Sequence, residues 1–442
     1  MASGGGDGKI HIEDYVIVPS EGVAGGEIRN IEQVAKSKTE AVAQIEKKLS
    51  IKIHDIYTGI SGQHIRCARN SYYVYVGRDG EICQEDVQRL VESMNNVQAP
   101  EGSRILHMSA QSYVVNDREE VSDPVGMFGN KLEGTFNFIL ADNEHVSRLE
   151  RVMERVGLRQ QKLFINALAT ADAVVLPDEK ELGVAVVDIG AGTTDLCIYH
   201  DNTVRYISVI PIGADAINKD IRSWGILERY VEELKVNYGS AMASGVSDDR
   251  KIKVPGRTPR EPKEISFRNL ASIIEARMKD IADYVMAEIR ASGYEKKLGA
   301  GIVLTGGGAG LKDIDKFFHE YTGMDVRVAS PDVRVDEPSL ESAADYRLST
   351  VLGIVLGALE SDTDSRIERR ITSAAGTAAP PAGSAPSDTG KGKGGRKGKY
   401  DAIDDDTSDD VPEPRAKKGS PLGRLFGKVN RMFDVIDDDS EI

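Results

Sequence analysis

The stretch Val184–Tyr199 restricts this chain more than any other. Val184-Ala185-Val186-Val187 runs into Asp188-Ile189-Gly190-Ala191-Gly192-Thr193-Thr194-Asp195, and Leu196–Tyr199 follows at once. A strand, a glycine-rich turn and a return strand read as a β-hairpin whose tip exposes backbone N–H groups. Glycine at 190 and 192 removes Cβ, so an anion can approach the backbone closely. Thr193 and Thr194 can add hydroxyl donors. Asp188, at the strand end, is suited to hold Mg²⁺ through water and to orient an attacking water. An ordinary hairpin needs neither an Asp at both ends of its turn nor paired threonines.

A second strand–glycine unit is Gly301-Ile302-Val303-Leu304-Thr305-Gly306-Gly307-Gly308-Ala309-Gly310-Leu311, followed by an amphipathic helix (Leu311, Ile314, Phe317, Phe318). Gly306, Gly307 and Gly308 would let a flat ligand lie against bare backbone at a helix start. A tight strand-to-helix turn is the plainer account of the same residues. Between the two units, Pro211-Ile212-Gly213-Ala214-Asp215 opens a helix whose N-terminal dipole would favour a phosphate near Gly213. Farther on, Glu232 and Lys235 stand three apart on one helix face. They suit either a clamp on ribose and base or a solvated ion pair.

Around these motifs, strands and helices alternate. Lys9–Val18, Asp55–Gly59, Val184–Asp188, Arg205–Ile210 and Gly301–Thr305 read as strands. Helical periodicity marks Gln84–Val97, His145–Val156 with Gly157 as its stop, and Phe267–Ala291. This is an α/β chain of 442 residues, long enough for two or three domains. Its net charge of −15 makes it a poor generic binder of nucleic acid, because phosphate contacts need clustered Lys and Arg. Cys67, Cys83 and Cys197 are odd in number and far apart, which fits a reducing compartment rather than a disulfide framework or a zinc cage. No apolar run reaches the length of a bilayer span, and Met1–Gly8 has no secretory-leader pattern. The seven histidines form no HxxxH or HExxH spacing, so no metal ligand beyond those for Mg²⁺ is expected, and His64 reads as structural.

Composition changes near residue 361. In residues 361–419 only Ile367, Ile371, Tyr400, Ile403 and Val411 are large and apolar; the stretch is dominated by Ala, Pro, Gly, Ser and blocked charge, a basic run over 391–399 preceding an acidic one over 401–410. Such a stretch cannot offset its ordering entropy by burial and is expected to be a disordered linker. Beyond it, Leu422, Leu425, Phe426, Val429, Met432, Phe433 and Ile436 follow helical spacing along one face, with Arg424, Lys428 and Arg431 away from it. Ser420 and Pro421 suit the first positions of a helix. A helix with such a stripe, beyond a long linker, reads as an interfacial anchor on anionic lipid. Docking into a protein groove is the other account. The acidic run from Asp434 to Glu441 is expected to fray the helix past Phe433.

DIGAGTTD, the ExxK helix and VLTGGGAGL, in that order, resemble the phosphate-2, ribose-clamp and adenosine motifs of the actin and heat-shock-chaperone ATPase superfamily. Val18-Pro19-Ser20-Glu21-Gly22, Gly59-Ile60-Ser61-Gly62-Gln63-His64, Glu181-Leu182-Gly183, Gly213-Ala214-Asp215-Ala216-Ile217 and Ile273-Ile274-Glu275-Ala276-Arg277 narrow this. Together they resemble FtsA, the bacterial division actin, over about residues 8–360. The resemblance implies a two-lobed actin-like ATPase fold with an inserted 1C subdomain. Its boundaries would be 1–77 for part of subdomain 1A, 78–155 for 1C, and 156–222 for the rest of 1A with the phosphate-2 part of 2A. Subdomain 2B would be 223–297, and 298–360 the adenosine part of 2A with the return to 1A. The linker (361–419) and amphipathic helix (420–442) follow. ATP and Mg²⁺ would bind between the lobes, with slow or negligible hydrolysis. The protein would form filaments on the cytoplasmic face of the inner membrane at the division site and hold FtsZ through its C-terminal tail, with further division proteins as partners. Ile274, Glu275 and Arg277 are the implied FtsZ contacts on 2B.

The chain departs from the family at its front. A first phosphate hairpin should lie just before Gly8, where only MASGGGD stands. Gly4-Gly5-Gly6 is no substitute, because no strand is expected before it to aim its N–H groups, and the first two strands are expected to be missing. The sequence would then be either a truncated record or a native form with weak nucleotide binding. A different class stays open: an actin-fold enzyme, either a kinase or a chaperone-like ATPase. A chaperone would need a folded substrate domain after residue 360, which the linker contradicts.

Overall fold

The structure, a computed structural model, describes residues 1–4, 9–77, 80–118, 120–247, 250–255 and 263–361. The chain divides into a unit over Met1–Ala378 and another over Ala379–Ile442. The expected linker and the anchor residues Leu422, Arg424, Leu425, Phe426, Lys428, Val429, Arg431, Met432 and Phe433 lie outside the described residues. Among the described residues no helix is long and apolar enough to cross a membrane.

The centre of the first unit is a five-stranded sheet. Val184–Ile189, Thr194–His200 and Thr203–Ile210 form an antiparallel meander. Ile302–Thr305 adds parallel to Val184–Ile189, and Val326–Val328 adds parallel beyond it. Both faces are buried. Ala185, Val187, Ile189, Leu196 and Ile198 pack with the helices Asp215–Ser223, Glu228–Tyr238, Phe267–Ser292 and Ile314–Thr322. Val184, Val186, Cys197 and Tyr199 pack on the other face, with the helices Ile31–Leu49, Asn143–Val156 and Asn166–Val174. Two covered faces explain why Val184–Val187 is an unbroken apolar run rather than an alternating one.

The helix over residues 349–361 crosses Asn166–Val174 with almost no space between them. A Cβ built on Gly353 would stand 1.7 Å from the Ala169 carbonyl oxygen. That approach needs glycine for its missing side chain, not for its φ. Gly353→Ala is expected to force the helices apart and destabilise the protein by about 3 kcal/mol. Chemical denaturation checks this; a change below ~0.5 kcal/mol would show that the crossing can shift freely.

A four-stranded antiparallel sheet, ordered Arg66–Tyr75, Lys131–Asp142, Ser103–Val115, Glu120–Val121, forms a separate layer. The helix Gln84–Asn95 covers it through Leu90 and Met94 against Leu132, Phe136 and Leu140. This body starts at Arg66, earlier than the 78–155 expected for the insert. The helix Asn143–Val156 leaves it, because Val146, Leu149, Val152 and Met153 pack into the core beneath the central sheet. That helix ends where expected: Gly157 adopts φ 77°, and its N–H bonds to the Met153 and Glu154 carbonyls.

The front of the chain differs from expectation. A strand, Ala2–Gly4, does precede the glycines and pairs antiparallel with Ile10–Ile12. Ile10 also bridges to Val335, and the pair packs against Leu348 and Leu352. The strand expected over Lys9–Val18 stops at Ile12. Past Ile12 the ladder with Ala2–Gly4 ends, and only the Glu13 and Asp14 N–H groups still reach the Met1 carbonyl, at 3.1 and 3.4 Å.

Candidate functional site

The site grows from the Asp188–Asp195 turn. Gly190 N–H donates to the Thr193 carbonyl at 2.9 Å and closes it, leaving Ala191 and Gly192 as its exposed tip. Asp188 and Asp195 stand directly opposite in the ladder, so their carboxylates leave the same face of the hairpin, with Cβ atoms about 5 Å apart. Asp188 Oδ2 accepts from Thr170 Oγ1 at 2.9 Å and Thr350 Oγ1 at 3.0 Å, and the two hydroxyls are 2.8 Å apart. Thr170 and Thr350 come from the two helices that cross at Ala169 and Gly353, so that crossing sets the floor of the site. Asp195 Oδ1 accepts from Ser61 Oγ at 2.8 Å.

Burial raises both carboxyls. For Asp188 the Thr170 and Thr350 hydroxyls pull the other way. Asp195 is pushed up to about 7 by burial and by the Asp188 charge, against the Ser61 and Thr193 hydroxyls. A folded-state pKa above the unfolded 3.8 gives stability that is complete below pH 4 and lost as pH rises through 7. The loss reaches up to about 4 kcal/mol. Asp195→Asn, which can still accept from Ser61, is expected to melt well above the wild type at pH 8, less far above it at pH 5 and close to it at pH 4. A pH-independent difference in melting temperature would count against this.

Two neighbouring carboxylates that burial and mutual repulsion both disfavour form a hard oxygen donor set of the kind a divalent cation satisfies. The site therefore fits Mg²⁺, and its exposed tip fits a phosphate.

The glycines do not act alike. Gly306 has φ +83°, and a Cβ there would lie 2.1 Å from Asp188 Oδ1. A Cβ on Gly308 would meet the Ile189 side chain at 2.5 Å. These two are glycines because Asp188 and Ile189 lie against them. Gly307 is exposed, with Arg347 Cγ the nearest atom to its missing Cβ at 3.4 Å, and it alone of the three offers bare backbone outward. The triad continues into a 3₁₀ turn over Gly307–Gly310, and the helix begins only at Ile314.

Two expectations need correction. Thr194 is fully buried and donates to the Ile212 carbonyl at 2.8 Å, so its hydroxyl is not offered to a ligand. The helix after Gly213 also does not present its first amides to a phosphate. Ala214 N–H donates to the Gly190 carbonyl and Asp215 N–H to the Ala191 carbonyl, both at 2.9 Å. A Cβ on Gly213 would stand 2.5 Å from each of those oxygens. The helix start thus braces the phosphate turn from behind.

Glu232 and Lys235 form an ion pair at 2.8 Å. Lys235 is 7% exposed, so the pair is not simply solvated. Asn218, on the bracing helix, donates to Glu232 Oε2 at 2.7 Å and ties the pair to the same framework.

A family model described as "Cell division protein FtsA" matches residues 185–353, and one described as "SHS2 domain inserted in FTSA" matches 62–140. The cell division protein FtsA of Pseudomonas aeruginosa is 35% identical over 326 residues, covering 74% of this chain and 78% of that protein. The chain belongs to the FtsA family. FtsA of Escherichia coli K12 is 31% identical over 385 residues, covering 84% of this chain and 90% of its own length. Among solved structures, the PilM–PilN type IV pilus biogenesis complex shares the fold over 77% of this chain and 89% of its own, with 14% identity and a TM-score of 0.50. The fold is that of the actin-like ATPases, and the inserted domain of FtsA coincides with the four-stranded sheet.

The residues expected to meet FtsZ are not placed alike. Ile274 is fully buried in the helix core and cannot be a surface contact. Arg277 makes a fork to Asp220 at 2.7 and 3.0 Å and reaches Asp280 at 2.9 Å, locking two helices together. Glu275 accepts from Ala243 N–H and from Lys279, both at 2.7 Å. The i, i+1, i+3 spacing of these residues spans more than one helix face, so resemblance alone could not tell buried from exposed.

Sequence reasoning missed Thr170 and Thr350, which carry no motif, and gave no role to Ser61, which stands in the Gly59–His64 segment. It also missed Gly25-Gly26, a turn that meets the hairpin tip: a Cβ on Gly26 would lie 3.1 Å from Thr193 Cγ2, and Gly25 N lies 3.7 Å from where a Cβ on Gly192 would be.

Proposed function

We propose that this FtsA-family protein binds Mg-ATP in the actin manner, self-associates into filaments, and tethers FtsZ to the inner membrane face at the division site through the helix predicted over 420–442. The observation that carries the nucleotide part is the convergence of Asp188, the Gly190–Thr193 tip and Gly306 on one braced turn. Asp188 would hold Mg²⁺ through water, which would supply charge neutralisation to the phosphates. Ala191, Gly192 and Thr193 would cradle those phosphates. Glu232 and Lys235 would face ribose and base, with Gly307 beside the adenine. Thr170 and Thr350 hold the Asp188 carboxylate in one orientation, so it meets the cation with little reorganisation. Family membership supports a structural, recruiting role over that of a kinase or chaperone, with ATP favouring lobe closure and self-association.

Titration of the full chain with labelled ATP tests this. Tight binding that is lost in EDTA is expected, and Asp188→Asn should weaken it about 10-fold or more. Binding indifferent to Mg²⁺ would reject the site. Co-sedimentation of FtsZ with lipid vesicles, dependent on the protein, tests the tether.

A further inference from the structure

Glu27, His64 and His145 meet at one point from three separate elements. Glu27 lies on the short strand Glu27–Ile28, His64 in the loop after Asp55–Ile60, and His145 in the first turn of Asn143–Val156. One ligand atom from each lies within 4.8 Å of the others. The two imidazoles stack nearly parallel, with ring centres 4.1 Å apart. His64 is 8% exposed, and neither of its ring nitrogens has a hydrogen-bond partner; nor does His145 Nδ1. Three orphaned buried nitrogens in one place cost roughly 1–3 kcal/mol each unless something else satisfies them.

The backbone is shaped to this cluster. Gly62 has φ +147°, and a Cβ there would strike His64 Cε1 at 2.5 Å and Nδ1 at 2.6 Å. Glu27 Cγ is 3.7 Å from the same position, so the bare Gly62 lets carboxylate and imidazole close over it. Arg29 pairs with Glu27 Oε2 at 3.2 Å and leaves Oε1 for another partner. Burial and the neighbouring His145 push His64 down to about 4, with the Asp142 charge pulling the other way.

We propose that Glu27, His64 and His145 bind a divalent transition metal ion of the zinc class, with the fourth coordination position open. Two imidazoles and one carboxylate match that class and exclude Mg²⁺ or Ca²⁺, which take oxygen donors. Ligands at zinc distances stand about 3.4 Å apart. Binding requires the two stacked rings to turn out of parallel about their side-chain torsions, so that both lone pairs and a Glu27 oxygen converge at that spacing. This site is separate from the Asp188–Asp195 pair and does not depend on nucleotide binding. It still borders the phosphate turn. Gly26, next to Glu27, abuts Thr193, and Ser61, next to Gly62, holds Asp195. An ion joining Glu27 to His64 would fasten both contacts.

The experiment is titration of the chelator-stripped full chain with Zn²⁺ by calorimetry, and with Co²⁺ by visible absorption. One equivalent is expected, with a cobalt spectrum of four-coordinate type lacking thiolate charge transfer, and a higher melting temperature in Zn²⁺. His145→Gln and Glu27→Gln should each weaken binding by about 100-fold, while Cys67→Ser and Cys83→Ser leave it unchanged. His64→Gln should do the same as His145→Gln; should it misfold, the other two variants, checked by circular dichroism, still decide. No binding up to about 1 mM Zn²⁺, or binding that survives both His145→Gln and Glu27→Gln, overturns the site and leaves a stacked structural histidine pair.

Discussion

Gly306→Ala is expected to weaken ATP binding by roughly 100-fold, about 2.7 kcal/mol, and to lower the melting temperature. The backbone at 306 has φ 83° and ψ 170°, a conformation open in practice only to glycine, and strain there costs about 1–3 kcal/mol. The added methyl would also lie 2.1 Å from Asp188 Oδ1 and 2.8 Å from the Ile189 carbonyl. The carboxylate must turn away, and its bonds to Thr170 and Thr350 break with it. Gly307→Ala is the control. Its methyl meets only the Arg347 side chain, Cγ at 3.4 Å and Cδ at 3.9 Å, so the fold and the melting temperature should hold, and any loss of ATP affinity should come from the methyl standing where adenine would lie, with Asp188 undisturbed. Equal effects at 306 and 307 would mean that the triad acts as a uniform bare surface, and the division of labour argued from the packing would be wrong.

This contrast marks what the sequence could reveal. The central sheet was legible because a strand covered on both faces must be apolar throughout, and few other elements look like Val184–Val187 ending in a glycine turn. The motif named all three glycines at 306–308, yet their roles depend on what packs against them, and Asp188 lies far away in sequence. Thr170 and Thr350, 18 and 162 residues from Asp188, are ordinary threonines until a helix crossing brings them together. Helical periodicity gave the Phe267–Ser292 helix almost to the residue. It did not keep Ile274 out of the candidate surface, because resemblance was read there in place of the apolar stripe to which Ile274 belongs. His64 read as structural because its partners lie in other elements and no spacing rule joins positions 27, 64 and 145.

Phe426→Asp is expected to abolish sedimentation of the protein with anionic vesicles. The argument rests on the sequence of 420–442, which lies outside the described residues. Partial burial of the apolar stripe from Leu422 to Phe433 gives roughly 1 kcal/mol for each large side chain. Arg424, Lys428 and Arg431 add roughly 1 kcal/mol each on anionic lipid. The apolar term is the larger, and Phe426 sits in the middle of the stripe, flanked by Leu425 and Val429. An aspartate there removes one apolar contact, brings a charge into the interface and repels the anionic surface. Together these changes weaken partitioning by about 3 kcal/mol, some 100-fold. Arg424→Ala should cost only about 1 kcal/mol, and that loss should shrink at high salt, because the basic contribution is screened and the apolar one is not. If Phe426→Asp sediments like the wild type, the stripe is not what holds the lipid. The same apolar face would then be left to a protein groove, where the aspartate should break binding to that partner instead.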